Sequence, residues 1–298
     1  MQTAYERISA NKRATFILII LFVIIVAALG LAIGAFFNNP IFGLSIAAML
    51  SIALTLFSFY DGDSAVLSLS NARPATKKEF PYLVNTVEGL SIAAGIQVPK
   101  IYVIEENSIN AFATGRDPKH ASITVTTGAT KKLNRAELEG VVGHEMSHIK
   151  NYDIRLMMLV VVLVGITALL SDLILRTLIY GKGNQSREKG NGAAIFLVVG
   201  LVLAILSPII AQLIKLAVSR KREFLADADG AMLTRHPKGL ADALKKIKND
   251  DDKIVDAANK ATAHLFIENP LRQHEGWVNS LFETHPPIDQ RIKALNAM

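Results

Sequence analysis

Long uncharged runs alternate with polar segments along the chain. The first run extends from Phe16 to Phe37 and the second from Ile41 to Phe59, with the turn-forming sequence Asn38-Asn39-Pro40 between them. Each run is long enough to cross a bilayer as a helix. A cleaved signal peptide is the rival interpretation of the first run, but its apolar core would normally be only about 7–15 residues long. The pattern therefore predicts a retained transmembrane hairpin within residues 1–60.

A second pair of apolar runs lies further along the chain. Residues 156–175 are apolar apart from Asp172, and residues 193–214 carry no charge. A carboxylate at membrane depth is costly, so we expect Asp172 near the membrane edge or facing protein or water. The polar, glycine-containing residues 176–192 predict a loop. Residues 156–218 are therefore predicted to form a second hairpin, which makes four spans in all.

Two segments of mixed character, residues 61–155 and 219–298, are predicted to form the water-exposed domain. Strand-forming residues at 101–104 and alternating ones at 122–127 predict two strands. Residues 110–115 lie between them and are interpreted as an edge strand able to pair with an extended peptide, with a simple hairpin arm as the alternative. Helices are predicted by apolar spacing over 79–95, 215–234, 238–248, 252–265 and 288–295.

Composition narrows the class of protein. Of 298 residues, 51% are hydrophobic and only 19% are charged, which is more apolar than an ordinary soluble domain. The chain has no cysteine, so a metal would be bound by His, Asp or Glu. The net charge of +6 is explained by basic residues flanking the spans, and no nucleic-acid-binding motif is present.

The sequence His144-Glu145-Met146-Ser147-His148 supplies the candidate chemistry. Residues four apart share one face of a helix, so the two histidines can bind a single zinc ion. Glu145 is then placed to take a proton from a water molecule that the ion activates. Asn134 and Glu137 form a capping-box pattern that predicts the start of this helix. The alternative is a pair of helix histidines that never bind metal.

A catalytic zinc site usually takes a third protein ligand. Asn151 and Ile154 stand where the metzincin motif requires Gly and His, so that class is excluded. The remaining candidates are Glu188, Glu223, Asp227, His264, Glu268, His274, Glu275 and His285. Glu223 is favoured because two spans separate it from His148, which returns the chain to the same membrane face. Asp227, one turn later, could then accept a proton from a ligand histidine. A solvated acidic pair offsetting Arg220–Arg222 is the alternative.

Taken together, these residues resemble the HtpX family of membrane zinc metallopeptidases, which is related to the CAAX prenyl endopeptidases. The resemblance covers nearly the whole chain. It rests on the paired N-terminal spans, the zinc-motif residues 144–148, and the segments 110–113, 219–227, 265–270 and 284–287 with Arg291 and Ile292.

The resemblance implies Glu223 as the third ligand of one zinc ion, a site facing the cytoplasm, and cleavage of misfolded or unassembled membrane proteins. It also implies that Asn110 and Ala111 belong to a substrate-pairing strand, and Phe112 and Ala113 are assigned with them. His285 and Arg291 match recurrent family positions. His285 is assigned as a donor to the oxyanion or as a structural histidine, and Arg291 is grouped with the substrate-binding residues.

The resulting prediction is a mainly α membrane protein with four transmembrane helices and a cytoplasmic α+β zinc-peptidase domain that contains a small β-sheet. Arg7, Lys12 and Arg13 place the N-terminus in the cytoplasm by the positive-inside rule. The basic residues in loop 176–192 are unusual for an outside loop, so spans three and four are expected to be shallow. Expected partners are the lipid bilayer and membrane-protein or unfolded polypeptide substrates.

Two alternative functions stay open at this stage. A prenyl-protein processing endopeptidase would use the same chemistry, but that group has more spans and encloses a chamber. A non-catalytic membrane scaffold or chaperone would use zinc structurally and would normally close all four ligand positions with protein groups.

Overall fold

The N-terminal part of the chain is a helical hairpin. The computed structural model describes residues 4–36, 38–161, 220–252, 262, 265–267 and 286–298. Helices α1 (Ala4–Phe36) and α2 (Pro40–Tyr60) form the hairpin. The stretches Glu6–Ala28 and Pro40–Tyr60 are long and apolar enough to cross a membrane. Two candidate membrane spans therefore lie where the hydrophobic pattern predicts the first hairpin.

Small residues let α1 and α2 approach closely. A Cβ atom added to Gly43 would lie 2.2 Å from the carbonyl oxygen of Gly30, and one added to Gly34 would lie 2.6 Å from the carbonyl oxygen of Asn39. Glycine at such positions brings membrane helices into backbone contact. The outward-facing side chains of both helices, such as Phe16 and Ile41, are apolar and exposed, as a lipid-facing surface requires.

Helix α1 begins well before the predicted start of the first span. Its polar first turns precede the apolar run and pack against the predicted water-exposed domain. The Arg7 Nη1 atom donates to Asp229 Oδ2 at 2.8 Å, and the Asn11 Nδ2 atom donates to Asp153 Oδ1 at 2.7 Å. At the other end of the hairpin, the Ser58 hydroxyl donates to the Met158 carbonyl at 3.3 Å. The start of α1 thus meets the predicted water-exposed domain, whereas the end of α2 meets Met158, which belongs to the third predicted span.

A four-stranded mixed sheet forms the centre of that domain. Its strands are β1 (Arg73–Pro74), β2 (Lys100–Ile104), β3 (Ala111–Asp117) and β4 (His120–Thr126), arranged in the order β1-β2-β4-β3. Strands β2 and β4 are parallel, and β3 and β4 form an antiparallel hairpin. The three predicted strands are confirmed, and among the described residues β3 is both a hairpin arm and the last strand of the sheet.

Seven more helices of the described residues have defined bounds. They are α3 (Gly62–Leu69), α4 (Pro81–Ala94), α5 (Thr127–Lys132), α6 (Arg135–Lys150), α7 (Arg220–Thr234), α8 (Pro237–Lys248) and α9 (Ile288–Asn296). Residues 153–161 are also helical. The predicted capping box starts α6: the Asn134 side chain accepts from the Glu137 amide at 3.0 Å, and the Glu137 carboxylate accepts from the Asn134 amide at 2.7 Å.

Alternate side chains of the sheet enter two different apolar clusters. Ala111, Ala113 and Ile123 pack in the main core with α4, α6 and α8. Phe112 points to the opposite face and packs with Val66 of α3 and with Met158. The strand period of two explains this division. The sheet is therefore covered by α6 on one face and by α3 and the 153–161 helix on the other.

Several predicted features lie outside the described residues. These are the second hairpin beyond residue 161, the loop 176–192, and most of the predicted helix 252–265. The same holds for His285, the first part of the predicted helix 215–234, and the alternative ligands Glu188, His264, Glu268, His274 and Glu275.

Candidate metal centre

Helix α6 presents both histidines of the zinc motif to one point. His144 and His148 are one turn apart and are 1% and 4% exposed. Their Nε2 atoms lie 3.2 Å apart. Two ligand atoms bonded to one tetrahedral zinc ion would lie about 3.3 Å apart, given metal–nitrogen bonds of about 2.0–2.1 Å. The spacing of the two imidazoles thus suits a shared zinc ion.

Helix α7 brings the third predicted ligand to the same point. The Glu223 Oε1 atom lies 3.5 Å from His148 Nε2, and Oε2 lies 3.7 Å from His144 Nε2. Ligand atoms of the three residues all lie within 4.8 Å of one another, and all three side chains are buried. Two neutral imidazoles and one carboxylate form a donor set that zinc accepts. The described residues therefore fit the metal that the sequence predicts.

A glycine contact between two helices makes this convergence possible. A Cβ atom on Gly230 of α7 would lie only 2.8 Å from the His144 backbone nitrogen, and one on Gly143 would lie 3.2 Å from the Gly230 carbonyl oxygen. The α6 and α7 backbones consequently touch at the level of His144. Glu223 lies two turns before Gly230, so the same crossing carries its carboxylate over the two imidazoles.

Carboxylates bind the outer nitrogen of each ligand histidine. Asp227 Oδ1 lies 2.9 Å from His144 Nδ1, and Asp153 Oδ2 lies 3.0 Å from His148 Nδ1. Each contact leaves Nε2 directed at the metal position and fixes the tautomer that binds a cation. The sequence pointed to Asp227 in this place. It did not point to Asp153.

Arg291 of α9 donates hydrogen bonds to both oxygens of Asp227. Its Nε and Nη2 atoms donate to the two oxygens of Asp227 at 2.9 and 2.6 Å, and Nη1 donates to the Ile267 carbonyl at 3.1 Å. Nη1 is also 3.8 Å from Glu223 Oε2. Arg291 is fully buried. Its guanidinium thus contacts Asp227, which contacts His144, and Ile267, whose amide donates to Ala111 of β3.

The charges of the site are set by burial and by these partners. Burial favours the neutral form of Asp227, but the charge and hydrogen bonds of Arg291 lower its pKa to about 2, and His144 adds to this effect. Burial opposes protonation of His148, yet Asp153, Glu223 and Glu145 together raise its pKa to about 9. A cation bound at Nε2 displaces that proton, because an imidazole binds metal only in its neutral form.

Glu145 lies next to His144 on α6 and is 2% exposed. Burial raises its pKa above the usual value for a glutamate, the charges of His144 and His148 oppose the increase, and the charge of Glu223 adds to it. A carboxylate with a raised pKa is suited to accept and return a proton near neutral pH.

Strand β3 packs against α6, the helix that carries both histidines. Asn110, Ala111, Phe112 and Ala113 are all buried. The Ala111 carbonyl oxygen accepts from the Ile267 amide at 3.0 Å, and the Phe112 ring lies 4.9 Å from the Phe266 ring. Residues 265–267 therefore lie along part of the outer edge of β3.

Comparisons with known proteins found related sequences along nearly the whole chain. The family model described as Peptidase family M48 matches residues 77–298. A Protease HtpX homolog from Dictyoglomus thermophilum is 46% identical, covering 99% of this chain and 95% of its own length. One from Caldanaerobacter subterraneus subsp. tengcongensis is 44% identical, with 100% and 98% covered. The crystal structure of S. mikatae Ste24p is 19% identical, covering 91% of this chain and 61% of that one with a TM-score of 0.47.

An apolar helical hairpin joined to a buried His-His-Glu centre defines a membrane metalloprotease. The chain belongs to peptidase family M48, and the resemblance to the HtpX family is confirmed by relatives that match it over nearly its full length.

Proposed function

We propose that this chain is an integral-membrane zinc endopeptidase that cleaves misfolded or unassembled membrane proteins. The observation that carries the proposal is the convergence of His144, His148 and Glu223, whose ligand atoms lie within 4.8 Å of one another. Such a buried group with outer-shell carboxylates on both histidines is typical of a zinc site and costly to maintain without a cation.

The metal would be one zinc ion per chain, held by the two Nε2 atoms and the Glu223 carboxylate. When bound, zinc supplies a Lewis acid that polarises the scissile carbonyl and acidifies water. Asp227 and Asp153 accept from the Nδ1–H groups of His144 and His148 and keep both rings oriented. Arg291 neutralises Asp227 and keeps its two oxygens fixed.

Glu145 is the proposed general base. Its carboxylate takes a proton from the attacking water molecule and then donates that proton to the amine nitrogen that leaves. The raised pKa of Glu145, which has burial as its main cause, favours this return of the proton. His285 stays our proposed donor to the oxyanion, on the strength of its family position.

The substrate would bind as an extended polypeptide along β3, at residues Asn110–Ala113. Among the described residues β3 is the edge strand of the sheet. This supports the proposal, because an edge strand offers backbone groups to a peptide. A substrate that pairs with the Ala111 carbonyl must displace the Ile267 amide that now donates to it. The apolar hairpin keeps the centre near the bilayer, where unassembled membrane segments are found.

The proposed topology places the centre in the cytoplasm of a bacterial cell. Arg7, Lys12 and Arg13 favour a cytoplasmic N-terminus, and Arg7 pairs with Asp229 of α7. The N-terminal end of α1 and the metal centre therefore share one side of the membrane. Four spans, with the second hairpin in residues 156–218, complete the proposed arrangement.

The test is cleavage of an unstable model membrane protein by the purified chain, with and without a chelator. Glu145→Gln should keep bound zinc and lose more than about a hundredfold in rate, whereas wild type should lose activity to the chelator and regain it with zinc. Full proteolysis by a clean Glu145→Gln preparation would refute the assignment of the base. Bound zinc without any cleavage by wild type would favour a scaffold, and selective cleavage of prenylated peptides would favour a prenyl-protein endopeptidase.

A further inference from the structure

We propose that a cavity at the end of α2 binds the phosphate of an anionic phospholipid whose headgroup carries free hydroxyl groups. The cavity has a volume of about 230 Å³ and lies between the α2–α3 junction and the sheet. Ser58, Phe59 and Tyr60 contribute the α2 side, and Met158 closes part of the wall. The metal centre lies across the sheet, against α6, so the cavity is a separate site.

Adjacent strands supply the opposite wall. Lys100 of β2 stands beside Ser122 of β4 in the parallel register, and Ser122 stands beside Thr114 of β3 in the antiparallel register. Side chains at these positions share one face of the sheet because they occupy neighbouring places in the pleat. That face also carries Arg116, which lines the cavity with Lys100 and Ser122.

A buried hydroxyl in this wall lacks a hydrogen-bond partner among the described residues. Ser122 is 1% exposed and its Oγ atom has no partner there, and the same is true of Thr114 Oγ1 beside it. Buried hydroxyl groups in folded proteins are nearly always hydrogen-bonded. Among the described residues, the Ser122 hydroxyl is therefore available to donate to an acceptor bound in the cavity.

The charged lining indicates what this acceptor is. Lys100, Arg116, Lys119 and His120 line the cavity, and Asp63 is the acidic residue among the lining side chains. His120 already contacts Asp117 at 2.9 Å. Several cations beside a hydroxyl donor suit a phosphate. Asp63 can accept from a hydroxyl group on the same ligand, which a glycerol headgroup provides and a choline headgroup does not.

The position of the cavity identifies the bilayer as the source of the phosphate. Helix α2 is long and apolar enough to span a membrane and ends at Tyr60, so the cavity lies where α2 reaches the membrane surface. The Arg116 guanidinium is 5.1 Å from the Tyr60 ring centroid, and that of Arg155 is 5.5 Å from the Phe59 ring centroid. Aromatic rings with basic residues are typical of the headgroup level.

The experiment uses the full chain in detergent, washed free of lipid. Phosphatidylglycerol or phosphatidylcholine with the same acyl chains is added, and bound lipid is counted by native mass spectrometry alongside the melting temperature. Ser122→Ala removes the unpartnered hydroxyl, and Lys119→Gln removes one cation. Ser108→Ala is the matched control, because Ser108 Oγ is also buried without a partner but lies outside the cavity lining. Lys78→Gln, an exposed lysine elsewhere, controls for charge.

We expect selective retention of phosphatidylglycerol by wild type and by both controls. Ser122→Ala should weaken retention about tenfold, because a hydrogen bond to a charged group is lost, and Lys119→Gln about fivefold. Ser122→Ala should melt no lower than wild type in the lipid-free state, since it removes a buried unpaired group. Equal retention of both lipids, or unchanged retention by Ser122→Ala, would overturn the proposal. Equal stabilisation by millimolar inorganic phosphate or glycerol phosphate would show a soluble anion site instead and would also overturn it.

Discussion

The Asn11 side chain of α1 is hydrogen-bonded to Asp153, the carboxylate that contacts the candidate metal ligand His148. Asn11 Nδ2 donates to Asp153 Oδ1 at 2.7 Å, and the other oxygen of Asp153 lies 3.0 Å from His148 Nδ1. Arg222 Nη1 adds a bond to Asn11 Oδ1 at 3.2 Å. Helix α1 is therefore connected to the centre by a short path of two hydrogen bonds.

Replacing Asp153 with Asn tests this outer contact of His148. The substitution keeps the size of the side chain but removes the negative charge that accepts from His148 Nδ1–H. We expect zinc affinity to fall about 10–100-fold, as is usual when the outer partner of a ligand histidine is lost. Competition with a chelator, read without substrate, measures the change. Asp242→Asn, on the outer face of α8 and paired with Lys245, should leave affinity unchanged, and equal losses in both variants would contradict the assigned role.

Replacing Asn11 with Ala tests the connection to the membrane helix. The change removes one donor from the buried Asp153 carboxylate and from the Asn151 carbonyl, which Asn11 also contacts at 2.8 Å. An unmade buried hydrogen bond costs about 1–3 kcal/mol. We expect a lower melting temperature in detergent and a smaller loss of zinc affinity than in Asp153→Asn. Arg13→Ala, an exposed change on the same helix, should alter neither quantity.

Adding a single methyl group at Gly230 tests whether the centre needs the close contact between α6 and α7. A Cβ atom at Gly230 would meet the His144 nitrogen at 2.8 Å and the Gly143 carbonyl carbon at 2.9 Å. Gly230→Ala must therefore push the helices apart and move Glu223 away from the histidines. Overpacking of this kind lowers the free energy of unfolding by about 1–3 kcal/mol. We also expect the Gly230→Ala variant to bind zinc more weakly than wild type.

A second glycine provides the control for that variant. Gly89 lies within α4, and a Cβ atom there would contact nothing within 4 Å. Gly89→Ala should be neutral or stabilising, because alanine favours a helix over glycine. Normal zinc affinity in Gly230→Ala would show that the close approach of the two backbones is not needed for the centre.

Local signals in the sequence were enough to predict α6 and the candidate ligands that it carries. The capping pair Asn134 and Glu137 marks the start of the helix, and the four-residue spacing of His144 and His148 places both on one face. Glu223 followed from counting spans and from the family resemblance. These features depend on neighbouring residues in the sequence or on the number of predicted spans, so they could be predicted without knowing how the helices pack.

The outer contacts of the centre could not be predicted in this way. Asp153 reaches His148 because the chain turns at Tyr152, which has a left-handed φ of 62°. No motif in the sequence predicts that turn. Arg291 reaches Asp227 from a helix far along the chain, so its partner depends on how α9 packs. Helix α1 begins early for the same reason, since its polar residues find partners in the soluble domain that the local pattern does not reveal.

The role of Arg291 gives the last prediction, because a positioning role and a substrate-binding role have different consequences. Its guanidinium is fully buried and binds both oxygens of Asp227. Arg291→Met would leave that carboxylate buried without its cation, at a cost of about 3–5 kcal/mol. We expect a large fall in melting temperature and weaker zinc binding even without substrate.

The conservative variant at this position separates charge from geometry. Arg291→Lys keeps the positive charge but loses the two parallel hydrogen bonds to Asp227, so zinc affinity should lie between those of wild type and Arg291→Met. Arg135→Met, which breaks an exposed pair with Glu139, should change little because exposed ion pairs contribute weakly. A substrate-binding role would instead raise KM while leaving zinc affinity and melting temperature at their wild-type values. Because the guanidinium contacts Asp227 and the Ile267 carbonyl, both of which are buried, we expect the first pattern.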